Sequence, residues 1–307
     1  MRYSPITIEL TQRVVELARI RCGFVSHLAF SPDGSALTVA HGSGLWIWSG
    51  EFDGAPQHRI AAQEAPIKYA AYSPDSRVIA SAGADKRVRL WIAASGAPMS
   101  FLRGHQDAVE TVAFNPDGTL LASGSADTNI CLYQFLDTTR AETLRGHSRE
   151  ITAVAFAHQH PVLASGSWDN SARLWDVEAR REIAIFPHAD WVRHLQFSPQ
   201  NDHLATACKD GGISVWDIDS HMNILHWEAH VGGVDCVAFS PDGLILASGG
   251  RDGTVRLWNP RDGLPLAALE GHENPVLSLA FHPGGNLLAS GSGDNTVRLW
   301  GIRDVSQ

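Results

Sequence analysis

Apolar and polar positions alternate along this chain with a period of two, in short runs separated by turns. In Val276-Leu277-Ser278-Leu279-Ala280-Phe281 the large residues Leu277, Leu279 and Phe281 alternate with Val276, Ser278 and Ala280, which predicts a strand buried on both faces. A turn such as Ser240-Pro241-Asp242-Gly243 follows; proline presets one dihedral there and glycine admits a positive φ. Next come Leu246-Ala247-Ser248-Gly249, a tight turn carrying Asp252-Gly253, the run Thr254-Val255-Arg256-Leu257-Trp258, and a fourth run, Leu266-Ala267-Ala268-Leu269. The unit reads as a four-stranded antiparallel meander.

The unit repeats. A terminal aromatic closes each copy, at Trp48, Trp91, Tyr133, Trp175, Trp216, Trp258 and Trp300, at intervals of 41 to 43 residues. A second aromatic precedes it, at Phe30, Tyr72, Phe114, Phe156, Phe197, Phe239 and Phe281. Seven units fill the 307 residues as a single domain. One four-stranded sheet cannot bury both its faces, and seven packed face to face around an axis can. The fold class predicted is all-β, a seven-bladed β-propeller of four-stranded antiparallel blades.

After Trp300 too few residues remain for the last blade's fourth strand. At the other end, Val15 to Arg19 occupy nearly the register relative to Phe30 that Pro98 to Leu102 hold relative to Phe114, which points to a strand over residues 14–20. They are expected to complete blade seven and close the ring, which protects strand edges that would otherwise template aggregation. A helix over Thr11 to Ile20 is the alternative, because Val14, Leu17 and Ala18 fit a helical stripe. Residues 1–13 are an N-terminal extension with no place in the repeat.

Composition narrows the setting. Hydrophobic content of 44% and charged content of 19% are those of a globular protein, and no apolar run is long enough to cross a bilayer. The first ten residues lack the apolar core of a secretory signal. Cys22, Cys131, Cys208 and Cys236 have neither CxxC spacing nor disulfide-scaffold density, so an intracellular, reducing and cytoplasmic location is expected, without excluding the nucleus. A net charge of −9 argues against general attraction to nucleic acid or anionic membrane.

Gly146-His147, Ser165, Trp168-Asp169 and Leu174-Trp175-Asp176 form the clearest copy of a motif that recurs around the chain. Gly-His and Trp-Asp about 30 residues apart, with an Asp in the turn before the third strand, resemble the WD-repeat β-propeller family over essentially the whole chain. The resemblance implies a hydrogen-bonded tetrad in each blade. It maps onto His147, Ser165, Asp169 and Trp175; onto His188, Thr206, Asp210 and Trp216; onto His230, Ser248, Asp252 and Trp258; and onto His272, Ser290, Asp294 and Trp300. Tyr133 replaces tryptophan beside His105, Ser123 and Asp127. The second unit has Gln63 at the histidine position. The first has Arg21 and Val39, with a shortened turn at His41-Gly42-Ser43-Gly44, and is expected to be the least well pinned.

Ser, His and Asp together also build catalytic triads. A hydrolase needs one such site, whereas this combination recurs at constant spacing as a scaffold device would, so the chain is not expected to be an enzyme. The recurrent Arg89, Arg173, Arg256 and Arg298 read as structural ion-pairing groups, and Trp46 breaks their row. His158 and His160 present two imidazoles without an evident third ligand, so neither metal nor cofactor is expected.

Partners of this family often dock on the narrower face, reached by three positions per blade. There the informative residues cluster in blades four to six: Trp168, Trp191, Arg193, Lys209 and Arg251, with Glu150 and Asp235 nearby. Exposed Trp and Arg are enriched in binding hot spots. The expectation is a non-enzymatic interaction scaffold, a monomeric propeller within a larger assembly, holding a protein or peptide partner, acidic or phosphorylated in the favoured reading. A cationic ligand is left open by Glu150 and Asp235. The alternatives are a structural subunit packed by its edge and an enzyme using the channel mouth.

Overall fold

The computed structural model describes residues 3–42, 44–50, 52, 54–61, 65–135, 137–159 and 161–303, without the side chains of 137–140. Ser43, Gln63 and His160 lie outside the described residues. The chain forms seven four-stranded antiparallel sheets. In blade four the order from the axis outward is Ile151–Phe156, Val162–Ser167, Ser171–Asp176 and Arg181–Pro187, and the other blades repeat it. Second strands such as Val162–Ser167 and Leu287–Ser292 are buried nearly throughout. Their Ala, Ser and Gly residues let neighbouring blades approach closely.

The innermost strand of every blade is a sheet edge, so its N–H groups need acceptors from elsewhere. In blades one, two, four and six a side chain of the preceding blade supplies one. Ser278 Oγ accepts from Leu28 N at 3.0 Å, Thr111 Oγ1 from Val154 N at 3.3 Å, and Gln196 Oε1 from Phe239 N at 2.6 Å. His27 and His194 do the same at 3.5 Å for Ala70 and Val237. Blades are thus joined by polar contacts at the axis as well as by apolar packing.

Blade seven takes its outer strand from the start of the chain. Val15–Arg21 pairs antiparallel with Thr296–Gly301, with Ile20 opposite Val297. The strand lies one residue later than the expected 14–20. Arg298, only 3% exposed, donates to Glu16 and to the Gly271 carbonyl, so a buried guanidinium locks the added strand to its blade. The helical alternative fails: a 3-10 turn spans Ile8–Arg13, Val14 is already extended, and the strand begins at Val15. Before that turn the chain runs along the seam of blades six and seven, where Ile6 is buried beside Trp300 and Ile302.

One expectation of strict alternation also needs correction. Register shifts interrupt the inner strand after its first residue in all seven blades, between Val25 and His27 in blade one and between Val276 and Ser278 in blade seven. Leu277 is therefore a bulge residue and not one of an alternating set, because a bulge re-aims a single side chain without changing the rest of the strand.

Deleting residues 1–20 uncovers the third strand of blade seven and strands Arg298 without its carboxylate. The truncated protein is expected to melt at lower temperature and to self-associate in analytical ultracentrifugation; a monomer of unchanged melting temperature would show that ring closure contributes nothing.

Candidate functional site

The bulge builds the site. The seven displaced residues are Ser26, Lys68, Glu110, Thr152, Arg193, Asp235 and Leu277, one per blade. All seven line a cavity of 640 Å³ at the mouth of the central channel. Their polar groups are paired around the ring. Lys68 Nζ meets Glu110 at 2.5 Å, Arg193 pairs with Asp235, and Arg251 Nε lies 3.3 Å from the same carboxylate. Thr152 and Ser26 donate to the next blade's Val192 and Ile67 carbonyls at 2.6 and 2.8 Å.

The other two positions on this face are tied to each other. Trp168 N donates to Glu150 O, Lys209 N to Trp191 O, and Arg251 N to Gly233 O, at 2.9 to 3.0 Å. This backbone link carries Trp168 of blade four against Trp191 of blade five, with ring centroids 4.4 Å apart and 15° between planes. Lys209 Nζ sits 3.9 Å from the Trp191 ring centroid and 3.7 Å from Asp190; the Arg149 guanidinium lies 5.5 Å from the same ring. Trp168, Trp191 and Lys209 form one cluster, and Arg193, Arg251 and Asp235 a second beside it. Glu150 stays at the rim, 4.0 Å from Arg149.

Sequence reading passed over Phe24, Arg149 and the Lys68–Glu110 pair. Phe24, 53% exposed, lines the mouth on the side away from the tryptophans, toward Leu277. The signal was available, since Lys68 and Glu110 stand one repeat apart in the same column.

The recurrent Ser, His and Asp lie away from this mouth, inside the blades. In blade four His147 Nδ1 donates to Asp169 at 2.8 Å, Nε2 accepts from Ser165 at 2.7 Å, and Trp175 Nε1 donates to Ser165 Oγ at 2.8 Å. His230, Ser248, Asp252 and Trp258 form the same chain in blade six, and His272, Ser290, Asp294 and Trp300 in blade seven, each link 2.7 to 2.9 Å. In blade three His105 bridges Asp127 and Ser123. Burial would raise the Asp169 pKa, but bonds from His147 and Ser171 outweigh it and hold the carboxyl far below its ordinary range.

Blade five departs from the expectation. His188 Nε2 bonds Thr206 at 2.8 Å and Trp216 reaches Thr206 at 3.2 Å, but His188 Nδ1 donates to the Phe186 carbonyl and not to Asp210. In blades four, six and seven a hydroxyl two residues after the Asp, on Ser171, Thr254 or Thr296, pins that carboxylate at 2.6 to 2.7 Å. Blade five has Gly212 there, whose N–H alone bonds Asp210. Among the described residues blade one shows no such chain: Trp48 Nε1 donates to the Gly54 carbonyl, and Trp46 packs between His41 and the Arg59 guanidinium. In blade two Trp91 reaches Ser81 and Asp85 pairs with Arg89. The recurring arginines make ion pairs, Arg173 with Glu182 at 2.5 Å and Arg256 with Asp252 at 3.2 Å. Among the described residues no group of three or more His, Cys, Asp or Glu side chains could hold a metal ion, and no helix is long and apolar enough to cross a membrane. His160, half of the histidine pair, lies outside the described residues.

A family model described as WD domain, G-beta repeat matches residues 54–91, 96–134, 139–176, 180–217, 222–259 and 263–301, about three quarters of the chain. The matches begin after the three inner strands of blade one, where the tetrad residues are missing. A coronin-like protein of Saccharomyces cerevisiae is 31% identical over 62 residues, 20% of this chain and 10% of that protein. The kinesin-like protein KIF21B of Homo sapiens is 31% identical over 70 residues, 22% of this chain and 4% of its own length, and its Mus musculus counterpart matches equally. The alignments thus span a tenth or less of these relatives.

Two outcomes test these assignments. Asp169→Ala is expected to cost about 1–3 kcal/mol in urea unfolding, and Asp210→Ala less than about 0.5 kcal/mol; equal losses would contradict the difference between blades. Burial holds His194 and His188 down to about 4 and His27 to about 3. The unfolded chain, with imidazoles titrating near 6.5, binds more protons below that pH. Stability is therefore full above about pH 6.5 and falls as the pH drops toward 4, and His194→Gln is expected to flatten the slope of the urea midpoint between pH 7 and 5.

Proposed function

The chain belongs to the WD-domain, G-beta repeat family, and on that premise we propose that it is a non-catalytic interaction platform holding a partner protein at the mouth of its central channel. WD-domain propellers are typically protein-interaction scaffolds. The observation that carries the reading is the stacked Trp168–Trp191 pair at the rim of a 640 Å³ mouth into which every blade turns one bulge residue. The apolar side chains of Leu277, Phe24 and the two indoles offer contact area, and the closed ring fixes them before a partner arrives, so little ordering entropy is lost on binding.

The charges favour an acidic or phosphorylated segment over a cationic one. Lys209 already lies against Trp191, in the place a ligand cation would take. Arg251, with 46% of its side chain exposed, and Arg149, with 51%, leave donors at the rim, whereas Asp235 is nearly enclosed by its two arginines. A partner carboxylate or phosphate would add to Asp235 as a second acceptor for Arg251. An intracellular setting belongs to this reading; the four cysteines are free and buried.

A second reading rests on a different surface. Ile185 and Ile224, 50% and 45% exposed, lie on the outer strands of blades four and five and could pack in an assembly by its edge. Affinity purification with mass spectrometry separates the two. The Trp191→Ala, Arg193→Ala double variant is expected to lose the captured partner while Ile185→Glu retains it; the reverse pattern assigns the edge. Turnover found in a substrate screen and lost in a His147→Ala variant of unchanged stability would overturn the non-catalytic reading.

A further inference from the structure

The chain's own N-terminal segment marks a second kind of site, on the face opposite the channel mouth. Residues 4–6 lie in the groove between the inner turns of blades six and seven. Ile6 N–H donates to the Gly285 carbonyl at 2.9 Å, Ser4 bridges to Ile302, and the Ile6 side chain, 3% exposed, packs beside Ile302 and Trp300. The groove is repeated around the ring. Stepping back 167 residues turns Pro241, Gly285 and Ile302 into Pro74, Gly118 and Phe135, the corresponding residues at the seam of blades two and three.

That seam holds a cavity of 540 Å³ lined by Pro74, Asp75, Asp117, Gly118, Thr119 and Phe135. Gly118 and Gly285 occupy the same turn position with the same left-handed φ, 73° and 69°. At two other seams this carbonyl or its neighbour is capped by a side chain. His282 Nε2 donates to Gly34 O at 3.1 Å, and Gln200 Nε2 to Asp242 O at 3.1 Å, where the groove between blades five and six has shrunk to 170 Å³. Among the described residues no donor reaches Gly118 O. Phe135, half-buried and edge-on to Phe114 at 5.3 Å, supplies the apolar wall that Ile302 supplies to Ile6. The lining differs in charge: Asp117 stands where blade seven has Gly284, and Asp75 is retained from the Asp242 position.

We propose that the groove between blades two and three docks an extended segment of a partner protein that carries an isoleucine- or leucine-like side chain beside a basic residue. The backbone N–H of that residue bonds Gly118 O, its side chain lies against Phe135 and Pro74, and the neighbouring cation meets Asp117 and Asp75. The occupant is specified by the equivalent groove, which this chain fills with Ser4-Pro5-Ile6, and by the added carboxylate. The site is independent of the channel mouth, so either can fail without the other.

The probe is a fluorescein-labelled peptide copying Tyr3–Thr7 with a lysine added at each end, titrated against the full-length protein by fluorescence anisotropy. Saturable binding is expected, weakened at least about tenfold by Phe135→Ala, which removes the apolar wall. Asp117→Lys, an exposed change that leaves the core untouched, is expected to weaken it at least about threefold, while Trp191→Ala has no effect. Absence of saturable binding overturns the proposal. So does binding that survives both groove variants at unchanged melting temperature, binding lost in Trp191→Ala, or binding lost only in Ile302→Asp, which would mean that the peptide exchanges with the chain's own segment.

Discussion

Every blade depends on its neighbours for the burial of its faces, and blades one, two, four and six also take acceptors for inner-edge N–H groups from the blade before. A four-stranded sheet of this composition is apolar on both sides and has no independent core. The seven-fold repetition answers this only if the ring closes, and closure rests on one added strand, Val15–Arg21, and on the enclosed Glu16–Arg298 contact. The hydrogen-bonded chains inside blades three, four, six and seven are a second layer of support. They tie the turn before the third strand to the strands behind it, beside the backbone bond to the Glu150 carbonyl that places Trp168.

The rigidity of the ring gives meaning to the irregularities. One bulge per inner strand is a small local change, yet repeated seven times it converts an alternating strand pattern into a ring of side chains at the mouth. On the opposite face the same strands end in near-identical turns, and what distinguishes one seam from another is whether something fills it. His282, Gln200 and the segment around Ile6 are three unrelated ways of satisfying the same stretch of backbone.

Much of this was legible in the residues. The aromatic spacing gave seven blades, and the placement of residues 14–20 relative to Phe30 gave the closing strand to within one residue. The residues Trp168, Trp191, Arg193, Lys209 and Arg251 were picked out by columns of the repeat, but not their division into an aromatic cluster with Lys209 and an ion-paired one around Asp235. The bulge was not legible, because it is a relation between two strands and leaves the sequence of either unmarked. Asp210 shows a subtler limit: all four tetrad residues are present in blade five, but the side chain that aims the carboxylate is two positions away and is replaced by Gly212. The pairing of Arg193 with Asp235, like that of Lys68 with Glu110, joins residues one repeat apart in the same column, a signal the sequence carried.

The strand that closes the ring also orders events in time. Glu16 and Arg298 stand 282 positions apart, so this pairing closes a loop that contains nearly the whole propeller. During synthesis the closing strand emerges first and its partner last, and in between its edge is unpaired. Blades one to six can assemble as they appear, each on the one before, whereas blade seven must wait. Its completion is then a docking step between the first and last strands of the propeller, and such long-range pairing slows folding. In the interval the closing strand must be kept from pairing with another nascent chain.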